Sequence, residues 1–118
     1  MESDHMNKLL LCGAVLGLIS VMMGALGDHA LALTPDKAES LATAIRYNMI
    51  YAVLIVALAL APARMKLNLP ARVFVVGTIF FSFSIYAAFL TGVEKLTYLT
   101  PVGGIIIMIG WVITAALS

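Results

Sequence analysis

The sequence predicts an all-α, polytopic membrane protein: a bundle of four transmembrane helices. Three observations predict it. First, 63% of the 118 residues are hydrophobic and 11% are charged, whereas an average soluble domain is about 45–50% apolar and about 25% charged. Second, four stretches approach the ~20 apolar residues that a spanning helix needs. They are Leu9 to Leu26, Tyr47 to Ala61, Val73 to Leu90 and Val102 to Leu117. Third, prolines punctuate these stretches, and proline suits the first turn of a helix but not its interior. The mean hydropathy of +1.08 agrees. The same composition excludes a disordered chain, a disulfide scaffold (one Cys) and a nucleic-acid binder (net charge +1, no basic run). Four spans leave only termini and short connections, so residues 1–118 read as one transmembrane domain.

The first helix is expected over residues 7–27. Met1 to His5 reads as a cloning remnant ahead of Met6, so His5 carries no argument. The apolar run after Lys8 exceeds the roughly 7–15 residues of a signal-peptide core, so this helix is expected to be retained. Gly13, Gly17, Ser20, Gly24 and Gly27 recur at steps of four and three on one stripe. Small residues let helix backbones approach closely in lipid. The stripe fits packing within one bundle; the alternative is a seam for a second copy. Cys12 reads as a small hydrophobe.

The second helix is expected over residues 35–61. Thr34 can cap it, Pro35 suits its first position, and Asp36 and Glu39 sit near the positive end of its dipole. Ala38, Leu41, Ala42 and Ile45 make one apolar face. Pro62 ends the helix. The third is expected over residues 70–91, opened by Pro70, with Gly77, Ser84, Ala88 and Gly92 on a second small-residue line. The fourth is expected over residues 101–117, with Thr100 as cap and Pro101 at the first position. Trp111 falls mid-span, where it should pack on a neighbouring helix.

Orientation follows from Lys and Arg in short connections. The connection between the second and third spans carries Arg64, Lys66 and Arg72 and no acid. Placing it in the cytoplasm puts Lys8 and both termini there too, and leaves Lys37, Arg46 and Lys95 outside.

On that topology the polar residues gather at the outer end. Asp28 and His29 close the first span, Arg46, Tyr47 and Asn48 enter the second, and Glu94 lies in the last outer connection with Lys95 and Tyr98. Ser82, Ser84 and Tyr86 add hydroxyls within the third span. Polar groups in or beside a span are functional candidates by default. Arg46 enters about one turn below the surface. It can tie three helices together by pairing with Asp28 or Glu94, snorkel upward, or hold a ligand. Asp28 and His29 point about 100° apart on a helix, which disfavours a proton relay. No metal-ligand set, nucleophile–base pair or phosphate loop is visible. The expectation is therefore no enzyme, no metal and no cofactor.

The motifs resemble a family. Met23-Gly24-Ala25-Leu26-Gly27-Asp28-His29-Ala30-Leu31 resembles the Gly-Ala-Phe-Gly-Ala-His-Ala-Leu signature that closes the first helix of domain-of-unknown-function family 423. Thr43-Ala44-Ile45-Arg46-Tyr47-Asn48-Met49 resembles its Thr-Ala-Val-x-Tyr-Gln-Met segment. Tyr86 through Leu90-Thr91-Gly92 is similar to its Tyr-Leu-x-x-Leu-Thr-Gly run. Thr100-Pro101-Val102-Gly103-Gly104 with Gly110-Trp111 is similar to its Thr-Pro-x-Gly-Gly…Gly-Trp ending. The chain departs at Asn48, where the family usually has Gln, at Tyr51, where it has His, and at Phe83, where it has a small residue. The resemblance implies four retained helices in a bacterial inner membrane. It implies no established activity, substrate or cofactor. The expected role is structural, interaction or accessory. The alternative is a small-molecule, lipid or ion transporter or channel that uses the outer polar cluster. Expected partners are the lipid bilayer and a second copy or other membrane proteins, not nucleic acid. Without a mid-membrane charge in Leu9 to Leu26, proton-coupled transport lacks an obvious carrier.

Overall fold

The computed structural model describes residues 2–29, 33–62 and 65–118; at residues 2–7, 28 and 29 it describes the backbone alone. Among the described residues, four helical spans are long and apolar enough to cross a membrane: Lys8–Gly27, Pro35–Ala59, Asn68–Thr91 and Glu94–Leu117. They form an elongated bundle of 47 × 24 × 19 Å.

Helix α1 runs Glu2–His29 and α2 runs Pro35–Ala59. Thr34 sits in extended geometry before α2, and its hydroxyl accepts from the Lys37 N–H at 3.4 Å. That satisfies one of the donors every helix start leaves unpaired. The end of α2 tightens, with the Ala61 N–H donating to the Leu58 carbonyl at 3.2 Å. The helix thus stops shortly before Pro62, slightly earlier than residue 61.

The third span is built from three pieces. Helix α3 covers Asn68–Thr78, a π-helical turn covers Ile79–Phe83, and α4 covers Ser84–Thr91. Pro70 lies inside the first turn of α3 rather than at its first residue. The first turn has no intrahelical use for a proline N–H, so the helix starts two residues earlier than expected. Gly92 closes α4 in the left-handed region at φ 77°, a conformation glycine adopts without steric penalty.

A 3₁₀ helix, Glu94–Leu99, then feeds directly into α5, Thr100–Leu117. This corrects the expected cap at Thr100. Because the 3₁₀ turn is already helical in sense, Thr100 lies within the helix and its side chain makes no cap bond. Its hydroxyl pairs with Ser84 Oγ at 2.6 Å instead.

Helices α1 and α2 form a tight antiparallel hairpin, and α3 packs against α2 on one side and α5 on another. The third span is the most enclosed of the four and the fourth the least. The core has three clusters along the bundle. Leu9, Ala59 and Ala71 fill one end. Leu16, Tyr51, Ala52, Ile55, Phe74 and Ile107 fill the middle. Met23, Leu41, Ala44, Ile85 and Tyr86 fill the other end. Around them stands a belt of exposed apolar side chains, including Leu11, Leu18, Val21, Val53, Ile105, Met108 and Val112. Water would make such a surface aggregate; hydrocarbon is its natural solvent.

Glycines set the two closest helix approaches. A Cβ at Gly13 would lie 2.7 Å from Val56 Cγ2 and 3.2 Å from the Ala52 carbonyl oxygen, so α1 meets α2 there. A Cβ at Gly103 would collide with the Phe81 backbone in the π turn. The stripe of the first span faces α2 along much of its length: Gly17 faces Ala52 and Gly27 faces Leu41. Gly24 has open space around it.

Candidate functional site

Apart from Ser20 of the first span, the buried polar side chains among the described residues lie on one seam between the second, third and fourth spans. Its centre is Asn48, fully buried on α2. Its Nδ2 donates to the Tyr86 hydroxyl at 2.9 Å. Tyr86 in turn points its O–H at the Ala44 carbonyl, 3.5 Å away. Ser82 Oγ donates to the same carbonyl at 2.8 Å. Ala44 precedes Asn48 by one helical turn, so α2 presents an acceptor and an amide on the face that meets the third span.

The π turn explains how one helix serves two neighbours. An extra residue in the turn advances the side chains that follow it around the axis. Ser82 reaches α2, while Ser84 reaches Thr100 of α5 and also donates to the Phe81 carbonyl at 3.0 Å. The bulged backbone at Phe81 is accommodated because residue 103 is glycine.

Deeper in the bundle an aromatic group continues the seam. Trp111 Nε1 donates to the Tyr51 hydroxyl at 2.9 Å. The Trp111 ring meets Phe74 edge-on with centroids 5.1 Å apart, and Tyr51 stacks on Phe74 at 5.3 Å. Tyr47 stacks on Phe81 at 4.5 Å. Aromatic pairs of this kind add about 0.5–1.5 kcal/mol beyond their buried area.

Two buried atoms, Asn48 Oδ1 and Thr78 Oγ1, have no hydrogen-bond partner among the described residues. Thr78 lies one turn before Ser82, just as Asn48 lies one turn after Ala44. An unsatisfied buried polar atom costs about 1–3 kcal/mol.

The sequence-level cluster separates into two environments. Asn48 and half-buried Tyr47 belong to the interior seam. Arg46 and Glu94 are exposed, and no ion pair joins them. Successive residues on a helix point in different directions, so the burial of Asn48 turns Arg46 outward. Asp28 and His29 end α1, and their side chains lie outside the described residues, as does any pairing of Arg46 with Asp28.

Glu94 instead lines a cleft of about 560 Å³ with Lys37, Ser40, Phe89, Thr97 and Thr100. The cleft lies between the first turns of α2 and the junction of α4, the 3₁₀ helix and α5. Its walls mix apolar side chains with hydroxyls, and the lining charges Lys37 and Glu94 have opposite sign. That volume falls within the range of small-ligand pockets, about 300–1,000 Å³. No group of three or more potential metal ligands occurs among the described residues.

Sequence reasoning missed Thr78, Tyr51, the π turn and the partner of Thr100. Antiparallel pairing of two adjacent spans carries a partial signal: once Ala44 is set opposite Ser82, Asn48 falls opposite Thr78. Nothing local in Ile79–Phe83 marks the π turn.

The comparisons with known proteins agree with this architecture. A family model described as "Protein of unknown function (DUF423)" matches residues 23–104. A "UPF0382 membrane protein" of Haemophilus influenzae is 31% identical over 110 residues, covering 90% of this chain and 89% of the relative. The "UPF0382 inner membrane protein YgdD" of Escherichia coli K12 is 32% identical over 109 residues, covering 87% and 82%. The "UPF0382 membrane protein SAB0533" of Staphylococcus aureus is 30% identical over 111 residues, covering 91% of each chain. No solved structure matches. With four apolar spans, the Asn48 and Gly103 segments inside the matched region, and relatives aligned over most of their length, this chain belongs to the DUF423 family of membrane proteins of unknown function.

Proposed function

We infer that this protein is a non-catalytic module of the inner membrane that works through contacts with lipid and with other membrane proteins, with both termini in the cytoplasm. One observation carries the reading: no charged side chain is buried among the described residues, and the buried polar side chains mostly bond helix to helix. Proton relays and many ion pathways through a bundle use titratable or charged groups inside it. The relatives' names support the inner-membrane location. The orientation is supported by the basic end formed by Lys8, Lys66 and Arg72, and by Arg64 in the sequence of the same connection.

The test is reconstitution into liposomes with parallel crosslinking in native membranes. Proton and potassium flux should equal that of protein-free vesicles. A photoreactive residue at exposed Val112 should give one crosslinked product of defined mass. Flux above the vesicle background would overturn the reading. A reporter fused after Ser118 should be active only as a cytoplasmic fusion.

The outer cleft favours a second reading, a binding or transport site for a small amphipathic molecule that carries both charges. Lys37 and Glu94 would meet its two poles while Phe89 covers its apolar part. Native mass spectrometry from mild detergent decides it: a reproducible adduct lost in Glu94→Gln supports this reading, and a bare protein removes it.

A further inference from the structure

At the opposite end of the bundle, α1 and α3 start side by side and run parallel. They touch far less than α1 and α2 do. The gap between them is a groove of about 440 Å³, lined by Lys8, Leu9, Cys12, Arg72, Val75 and Val76. Both lining charges are positive. Lys8 immediately precedes the apolar run that begins at Leu9, and Arg72 lies about one turn into its own span. At about 1.5 Å per residue that is roughly 6 Å below the end of the helix, within reach of a snorkelling guanidinium. Leu9 is buried at the back of the groove, while Val76 and the Cys12 thiol are exposed along its outer edge.

We propose that this groove binds an anionic phospholipid, with the phosphate between Lys8 and Arg72 and an acyl chain against Leu9, Cys12, Val75 and Val76. Charge and depth together argue for this occupant. Two cations at headgroup level above an apolar slot match a molecule with an anionic head and a hydrocarbon tail. A protein helix would leave the cations unmet, and a free phosphate would leave the slot unfilled. Lys66 at the same end adds positive potential. Arg72 already has a contact within the protein, and its five N–H donors allow it to serve a phosphate as well. Basic pockets between spans on the cytoplasmic side hold anionic headgroups by the same physics. The proposal needs the orientation given above only to name the leaflet.

The experiment is native mass spectrometry of the full chain, exchanged with equimolar phosphatidylglycerol and phosphatidylcholine of the same acyl chains. Retention of phosphatidylglycerol should exceed that of phosphatidylcholine roughly tenfold, since each cation near a headgroup contributes appreciably. Lys8→Gln with Arg72→Gln should remove the preference while circular dichroism stays unchanged. Lys8→Arg with Arg72→Lys should keep it, as should Lys37→Gln with Lys95→Gln at the other end. Added inorganic phosphate at millimolar concentration should not displace the lipid. Equal retention of the two lipids overturns the proposal. So does a preference that survives the double Gln variant or is lost equally in the Lys37/Lys95 control. Displacement by phosphate would show that the cations bind an anion without using the groove. If the double Gln variant does not fold, the conservative pair and a bimane label on Cys12 decide. Quenching of that label by a nitroxide on the phosphatidylglycerol chain, and not on phosphatidylcholine, places the lipid in the groove; equal quenching overturns it.

Discussion

The first span is an uninterrupted α-helix, whereas the third is broken at its centre by a π turn. The first meets its neighbour mainly through absence of side chain, at Gly13 and Gly17; its Ser20 hydroxyl turns back on the Gly17 carbonyl at 2.6 Å and touches Met49 Sδ of α2 at 3.5 Å. The third adds polar side chains to close approach: Gly77 and Gly103 bring it against α5, while Ser82 and Tyr86 are bonded to α2 and Ser84 to α5. Close backbone approach supplies dispersion in a solvent where apolar burial gains little. Hydrogen bonds add modest energy, averaging about 0.6 kcal/mol within membranes, but they have direction. The first device lets helices approach; the second fixes which residues face each other.

The largest expected effect tests where backbone approach is tightest. Gly103→Ala places a methyl against the Phe81 backbone, which cannot move aside as a side-chain tip would. It should destabilise by about 3 kcal/mol, the upper range for overpacking. Thermal unfolding in detergent measures it. A loss under about 1 kcal/mol would mean that α5 shifts freely, and would leave the third span held by its polar contacts alone, sharpening the contrast with the first. Gly13→Ala should cost less, about 1–2 kcal/mol, because its nearest neighbour is a Val56 methyl.

Asn48→Leu comes next. It removes the amide that Tyr86 accepts from and leaves that hydroxyl with only its long contact to the Ala44 carbonyl. A loss of about 1–2 kcal/mol is expected. The double variant with Tyr86→Phe should cost less than the two single losses added together, since the pair is coupled. Strict additivity would show that the seam is not one network.

Smaller still is Tyr51→Phe, which removes the acceptor for the Trp111 N–H. About 0.5–1 kcal/mol is expected, because half-exposed Trp111 can turn elsewhere. Tyr51→His restores an acceptor at this position and should recover part of the loss, read by the same unfolding assay. At the bottom of the scale, Arg46→Ala should change stability by less than about 0.5 kcal/mol, as expected for an exposed side chain. A change above about 1.5 kcal/mol would reveal a strong tie to Asp28.

How far the sequence reaches is plain from particular residues. Apolar length and proline placement located the spans because they answer to the bilayer itself, which sets a minimum length and forbids unpaired backbone groups. Thr34 was readable as a cap because capping is local: the hydroxyl and the Lys37 N–H are three residues apart. The glycine stripe of the first span was readable because helical periodicity alone puts those residues on one face.

Asn48 and Arg46 were not separable in the same way. Both are polar, close together and at the same depth, and only the rotation of α2 against the third span buries one and exposes the other. Thr100 looked like a cap because threonine before proline usually is one, and the preceding 3₁₀ turn overrode that preference. The π turn, the Ser84–Thr100 contact and the basic groove between α1 and α3 each depend on residues far apart in the chain. Sequence by itself determined the solvent, the number of spans and their approximate ends, because those follow from local composition and backbone hydrogen bonding. Tertiary structure decided which polar atoms meet, because helix rotation and register are set by side chains packing across helices, and one extra residue in a turn reorients those that follow.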